Sequence, residues 1–132
     1  MSSNPANENV TKVTPVRIVE RVEPSLAFWC DGLGYEKQVV VPHGDRIGFA
    51  LLVSAHPGEL MLQSRASLAD DAPEAAKLNP EITLFVEVKS LGEARKCANA
   101  KVLVEERETP YGTRETVVLD PSGMVVIFAE KR

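Results

Sequence analysis

Between Val13 and Ala129 one order of elements, strand, helix, strand, strand, strand, is written twice. The first copy opens on an extended run, Val13 to Val22, with Pro15 at its edge. Pro24 suits a first helical turn, and Leu26, Trp29, Cys30 and Leu33 recur at the i, i+3, i+4, i+7 spacing of an amphipathic helix. Gly32 and Gly34 close it. Strands are predicted over Val39 to Val41, Ile47 to Val53 and Glu59 to Gln63, separated by the turns Pro42-His43-Gly44-Asp45 and His56-Pro57-Gly58. Ser67 to Lys77, polar, Ala-rich and broken by Pro73, reads as a connector with a short helix. Then Ile82 to Val88 is a strand, and Ser90 caps a helix with Glu93 completing a capping box. Val102 to Glu105, Glu115 to Leu119 and Met124 to Ala129 finish the second copy. No residue-level repeat accompanies this duplication of order.

The last two runs are rich in Val and Ile and flank Asp120-Pro121-Ser122-Gly123. Asp at the first position, Pro at the second and Gly at the fourth spell a type I turn, and the runs read as a hairpin.

Three motifs carry a family resemblance. Tyr111-Gly112 with Glu115, the D-P-x-G turn and the ending Phe128-Ala129-Glu130 form one. Ser25-Leu26-Ala27-Phe28-Trp29 followed by Leu33-Gly34-Tyr35 is the second, and Glu59-Leu60-Met61-Leu62-Gln63 the third. In this order they resemble the glyoxalase / bleomycin-resistance / extradiol-dioxygenase group, the vicinal oxygen chelate superfamily. The resemblance implies an α+β fold in which two βαβββ modules form a curved mixed sheet around a cleft. It implies one domain over 13–132, with modules at about 13–65 and 79–132 and a connector at 66–78. It also implies a homodimer.

A chain of 132 residues can bury a real core as one domain. The net charge of −4 argues against an electrostatic nucleic-acid binder. No apolar run approaches the roughly 18 residues that span a bilayer. MSSNPANENVTK, residues 1–12, lacks the regions of a signal peptide and reads as a polar, disordered tail. Cys30 and Cys97 then read as reduced thiols of a cytoplasmic protein.

Strand parity sorts the candidate site. Ile82, Leu84, Val86 and Val88 form the face a helix would cover, so Thr83, Phe85 and Glu87 face the other way. Glu115, Val117 and Leu119 share one face, Thr116 and Val118 the other. The last strand is apolar on both sides, and the resemblance places Ile127 inward. In the first strand Thr14, Val16 and Ile18 share a face, and Arg17 interrupts the opposite one without a physical account.

Metal-dependent members of the group hold a cation with His, Glu or Gln on the first and last strand of each module. The resemblance lays those positions on Thr14, Thr83, Ile127 and, within two residues, Met61. A threonine hydroxyl is a poor ligand and isoleucine is none. His43 and His56 read as solvent-exposed turn residues. No metal and no cofactor are therefore expected. The ligand-binding candidates are Glu115, Tyr111, Phe85, Thr83 and Ile127. Glu115 has two readings, a ligand contact or a structural group paired with a turn, Arg107 or Arg114. Phe85 is the aromatic candidate for stacking on a ligand, and Trp29 reads as core. The function expected is metal-free binding of a small apolar or aromatic molecule, cationic ones included. The alternative is a glyoxalase-like lyase or isomerase, or a dioxygenase-related enzyme.

Overall fold

The structure, a computed structural model, describes residues 8–55, 58–97 and 100–132. Two compact units divide the chain at Thr14 and Ile82: Thr14–Ile82 is one, and residues 8–13 with Thr83–Arg132 the other. Strand β1 (Val10–Val19) passes from the second unit into the first.

The first unit continues with helix α1 (Val22–Leu26), which opens into a π-helical turn over Ala27–Gly32. Strands β2 (Glu36–His43), β3 (Arg46–Val53) and β4 (Glu59–Ser64) follow, then helices α2 (Arg65–Asp71) and α3 (Pro73–Ala76). The strand order is β2-β3-β4-β1, antiparallel except that β4 runs parallel to β1. The second unit holds β5 (Ile82–Val88), helix α4 (Leu91–Cys97), β6 (Lys101–Glu108), β7 (Thr113–Leu119) and β8 (Val125–Lys131). Its order is β5-β8-β7-β6, with β8 parallel to β5. The two βαβββ modules of the α+β fold are thus both present. The expected connector is two short helices, broken where Pro73 takes the first helical turn of α3.

The apolar stripes find their sheets. Val22 and Leu26 pack on Ala50, Leu52 and Leu62, with Trp29, Cys30 and Tyr35 at the margin. Leu91 and Ala94 of α4 pack on Val86, Val88, Val118 and Val126. Each large aliphatic side chain so buried contributes about 1.5–3 kcal/mol. Gly48 allows a close approach, because a Cβ there would meet the His43 Cβ at 2.6 Å and the Ser67 Cβ at 3.2 Å.

Three expectations need correction. Strand β1 begins at Val10 and ends at Val19, and Val22 belongs to α1. Residues 9–12 are not tail: buried Asn9 bonds both the N–H and the carbonyl of Ser90, and the Thr11 hydroxyl donates to the Glu87 carbonyl. The remaining tail expectation, residues 1–7, lies outside the described residues. Finally, only half of the capping box forms. The Ser90 hydroxyl accepts from Glu93 N–H, but Asn9 already takes the Ser90 N–H that Glu93 would have reached.

Candidate functional site

In the second unit the turn Asp120-Pro121-Ser122-Gly123 joins the two strands that build the site. Gly123 N–H donates to the Asp120 carbonyl at 3.0 Å, and Gly123 adopts φ 94°, which favours glycine. Strand β7 then pairs with β8, and β8 with β5. Residues paired directly across strands share a face. Three rows result on the side away from α4: Thr83 with Val125 and Leu119, Phe85 with Ile127 and Val117, and Glu87 with Ala129, Glu115 and Arg107.

The third row carries the charge. Ala129 separates Glu87 from Glu115 by two strand spacings, roughly 9.5 Å. Its methyl group leaves room above the sheet. The opening there is a groove of about 250 Å³, lined by Thr11, Phe85, Glu87, Thr113, Ala129 and Lys131. Among the described residues neither Glu87 nor Lys131 has an ion-pair partner. The groove thus offers a ring, two hydroxyls, a half-buried carboxylate and an exposed ammonium group.

Glu115, paired across the sheet with the groove residue Ala129, is 1% exposed. Its Oε2 accepts from the Tyr111 hydroxyl at 2.9 Å and the Thr113 hydroxyl at 2.8 Å. The Arg107 guanidinium stands 3.9 Å from its Oε1. Thr113 in turn exchanges backbone and side-chain bonds with Thr109, so the carboxylate anchors the turn from Thr109 to Thr113. Arg114 takes no part, pairing instead with Glu106 and Glu108. These are the partners, a turn and Arg107, that the structural reading of Glu115 named. Tyr111 is an exposed residue whose hydroxyl closes over that carboxylate.

The five sequence candidates therefore fall on one side of the second unit. Phe85 and Ile127 are cross-strand partners, Thr83 begins the same face, and Tyr111 reaches Glu115. Lys131, Thr113 and Thr11 were not among them. Lys131 follows from Ala129 by parity once β8 is extended by two residues. Thr11 had no signal, because its segment reads as a tail.

Each unit by itself carries weak donors at the metal positions. In the first, Val16 pairs with Met61 as Phe85 pairs with Ile127 in the second, which fixes Met61 as the counterpart of Ile127. Thr14 and Thr83 are buried, and their hydroxyls have no hydrogen-bond partner among the described residues. Threonine, methionine and isoleucine do not make a site for zinc, nickel or iron. Among the described residues no group of three or more His, Cys, Asp or Glu side chains is gathered to hold a metal ion. His43 ends β2 and is not a free turn residue, for its Nε2 lies 2.6 Å from Asp70 Oδ2. His56 lies outside the described residues.

Searches by sequence return no matching family model and no matching curated protein. Solved structures do match. One is a glyoxalase/bleomycin resistance protein/dioxygenase superfamily member from Vibrio splendidus, at 17% identity and a TM-score of 0.65, covering 91% of this chain and 98% of that one. Methylmalonyl-CoA epimerase from Mycobacterium tuberculosis matches at 18% identity and a TM-score of 0.62, covering 94% and 88%. A Legionella pneumophila structure described as an NAD-dependent benzaldehyde dehydrogenase matches at 15% identity and a TM-score of 0.69, covering 92% and 100%. The fold is that of the glyoxalase/bleomycin-resistance/dioxygenase superfamily. At such identities the likeness extends to the fold alone, and fold does not fix a reaction. Among the described residues no helix is long and apolar enough to cross a membrane.

Proposed function

We propose that the chain is a metal-free small-molecule-binding protein whose ligand is a small aromatic or apolar molecule carrying a cationic group. One observation carries this reading: the second-unit groove sets the Phe85 ring beside a Glu87 carboxylate that has no ion-pair partner among the described residues. Ring stacking and a charge-assisted hydrogen bond are complementary demands on one ligand. The volume of about 250 Å³ suits a compact molecule. Thr11 and Thr113 supply hydroxyls that orient its polar end. Metal chemistry of the glyoxalase or dioxygenase kind finds no donor set at Thr83 and Ile127, which supports binding over catalysis.

Assembly belongs to the same proposal. A homodimer of about 29 kDa, twice the 14.4 kDa chain, is expected. Light scattering at tens of micromolar checks it, and a monomer there would refute it.

Thermal stabilisation across a library of small aromatic amines and neutral analogues tests the ligand class, because binding to the native state raises apparent stability by mass action. Amines that stabilise the wild-type protein, but not Glu87→Gln, support the reading. Equal stabilisation by matched neutral compounds sinks it. Elemental analysis after metal-replete expression should find no stoichiometric transition metal, and one tightly held ion per chain would overturn the metal-free assignment.

A further inference from the structure

Arg17 breaks an apolar strand, and its register shows why. It pairs with Leu62, and Leu62 with Ala50, so Arg17 stands on the side of the first unit that α1 covers. There Arg17, Val19, Ser25, Trp29, Leu60 and Leu62 line a second cavity, of about 330 Å³, wholly within the first unit.

Two features mark it as more than a packing gap. The helix beside it opens into the π-helical turn Ala27–Gly32, a rare conformation that recurs at functional sites. Trp29 sits in that turn, half-buried, with the rings of Phe28 and Tyr35 each meeting it edge to face at 5.3 Å. The second feature is the guanidinium. Arg17 Nη1 donates to the Glu81 carbonyl at 2.9 Å and, more weakly, to the Ile18 carbonyl at 3.4 Å. Those bonds fix the plane of the group through one amino nitrogen. Nε and Nη2 bond no described residue. That edge is the one that takes a carboxylate through two parallel N–H···O bonds.

We propose that this cavity binds a monocarboxylate with an apolar body, of the medium-chain fatty acid class. The Nε–Nη2 edge of Arg17 takes the carboxylate, the Ser25 hydroxyl adds a donor, and Trp29, Leu60 and Leu62 take the chain. The site is distinct from the Glu87 groove and carries the opposite charge preference.

Trp29 is the only tryptophan, so its fluorescence reports the cavity directly. Titration with octanoate should change its emission saturably, whereas octan-1-ol, with the same tail and no charge, should not. Arg17→Gln should weaken octanoate by about tenfold or more, the scale of a lost bidentate pair. Arg17→Lys keeps the charge and a donor for Glu81 but lacks the fork, and should also bind several-fold more weakly. Glu87→Gln should bind octanoate as the wild type does. The proposal is overturned if octanol matches octanoate, if octanoate gives no saturable change, if Arg17→Lys binds as tightly as the wild type, or if Glu87→Gln abolishes the signal. The wild-type comparison of octanoate with octanol stands even where an Arg17 variant fails to fold.

Discussion

The two modules share a backbone plan and differ in what they set on the sheet face opposite their first helix. Val16 stands to Met61 as Phe85 stands to Ile127, so position follows position: Thr14 with Thr83, Ile18 with Glu87, Gln63 with Ala129. The first copy makes this face core, with Val16, Ile18 and Met61 at 3%, 1% and 7% exposure. The second sets Glu87, Glu115 and Arg107 in one row across it. A duplicated scaffold can let one copy carry stability while the other carries polar chemistry. The edges differ as well. Strand β2 exposes Val39, Val40 and Val41, while β6 is guarded by Glu105, Glu106 and Glu108.

The largest expected effect tests whether the charged row is structural or functional. Glu115→Ala removes a buried carboxylate and strands the Tyr111 and Thr113 hydroxyls and the nearby Arg107 guanidinium. The loss should be about 3 kcal/mol, or roughly 10 °C in Tm for a chain of this size. Glu115→Gln should cost less, since its amide oxygen still accepts. Both variants should leave the affinity of a groove ligand nearly intact. If affinity falls with no change in Tm, Glu115 serves the ligand and the structural assignment is wrong.

Glu87→Gln should behave in the opposite way. Affinity for a cationic aromatic ligand should weaken by roughly 1–3 kcal/mol, with little change in Tm, because no ion partner within the described residues is lost. The corresponding change in the first copy, Ile18→Glu, should unfold or strongly destabilise the protein, since a fully buried position there offers no water to a charge. Denaturant melts and calorimetric titration of both variants decide whether the copies have diverged as described.

Thr14 and Thr83 sharpen the comparison from its one shared feature. Each buries a hydroxyl without a partner among the described residues, at corresponding positions. Replacing such a hydroxyl by a methyl group removes an unmet hydrogen-bonding demand. Thr14→Val and Thr83→Val should therefore each leave stability unchanged or raise it by about 1 kcal/mol. A loss at Thr83 alone would place a bound polar group against the second copy only.

How much of this was legible follows a physical line. The periods of two and of 3.6 residues, with Asp120-Pro121-Ser122-Gly123 as punctuation, are local, and they carried the element order and the parity of Phe85, Glu87 and Glu115. Strand ends were not legible, because they depend on distant partners: Val10–Lys12 are strand since Asn9 meets Ser90 and Thr11 meets Glu87. Which arginine meets Glu115 waited on register, which sets Arg107 opposite it while Arg114 pairs elsewhere. Arg17 resisted for the same reason, its partner being a carbonyl 64 residues away.

The smallest effect compares one carboxylate from each module as a pH probe. Asp120 accepts the N–H of Met124 at 2.8 Å, and then the hydroxyl and N–H of Ser122. In the first module Glu23 accepts the N–H of Ile47 at 3.0 Å. Bonds to the charged form hold both pKa values below their ordinary carboxylate range, with Met124 the leading cause for Asp120 and Ile47 for Glu23. The folded value of each is thus lower than the unfolded one. Its contribution to stability is complete above the unfolded pKa, roughly pH 4, and is lost as pH falls through the folded pKa. Tm should therefore decline with acidification below roughly pH 4, and Asp120→Asn and Glu23→Gln should each flatten that decline. Above pH 5 each variant should melt below the wild type, and the gap should close as the wild-type carboxylate takes up its proton. If Asp120→Asn keeps the full wild-type slope, the D-P-x-G carboxylate is not what ties the second hairpin to pH. If only Glu23→Gln flattens it, the acid sensitivity belongs to the first module, and the turn that joins β7 to β8 is held by its backbone bond and Gly123 alone.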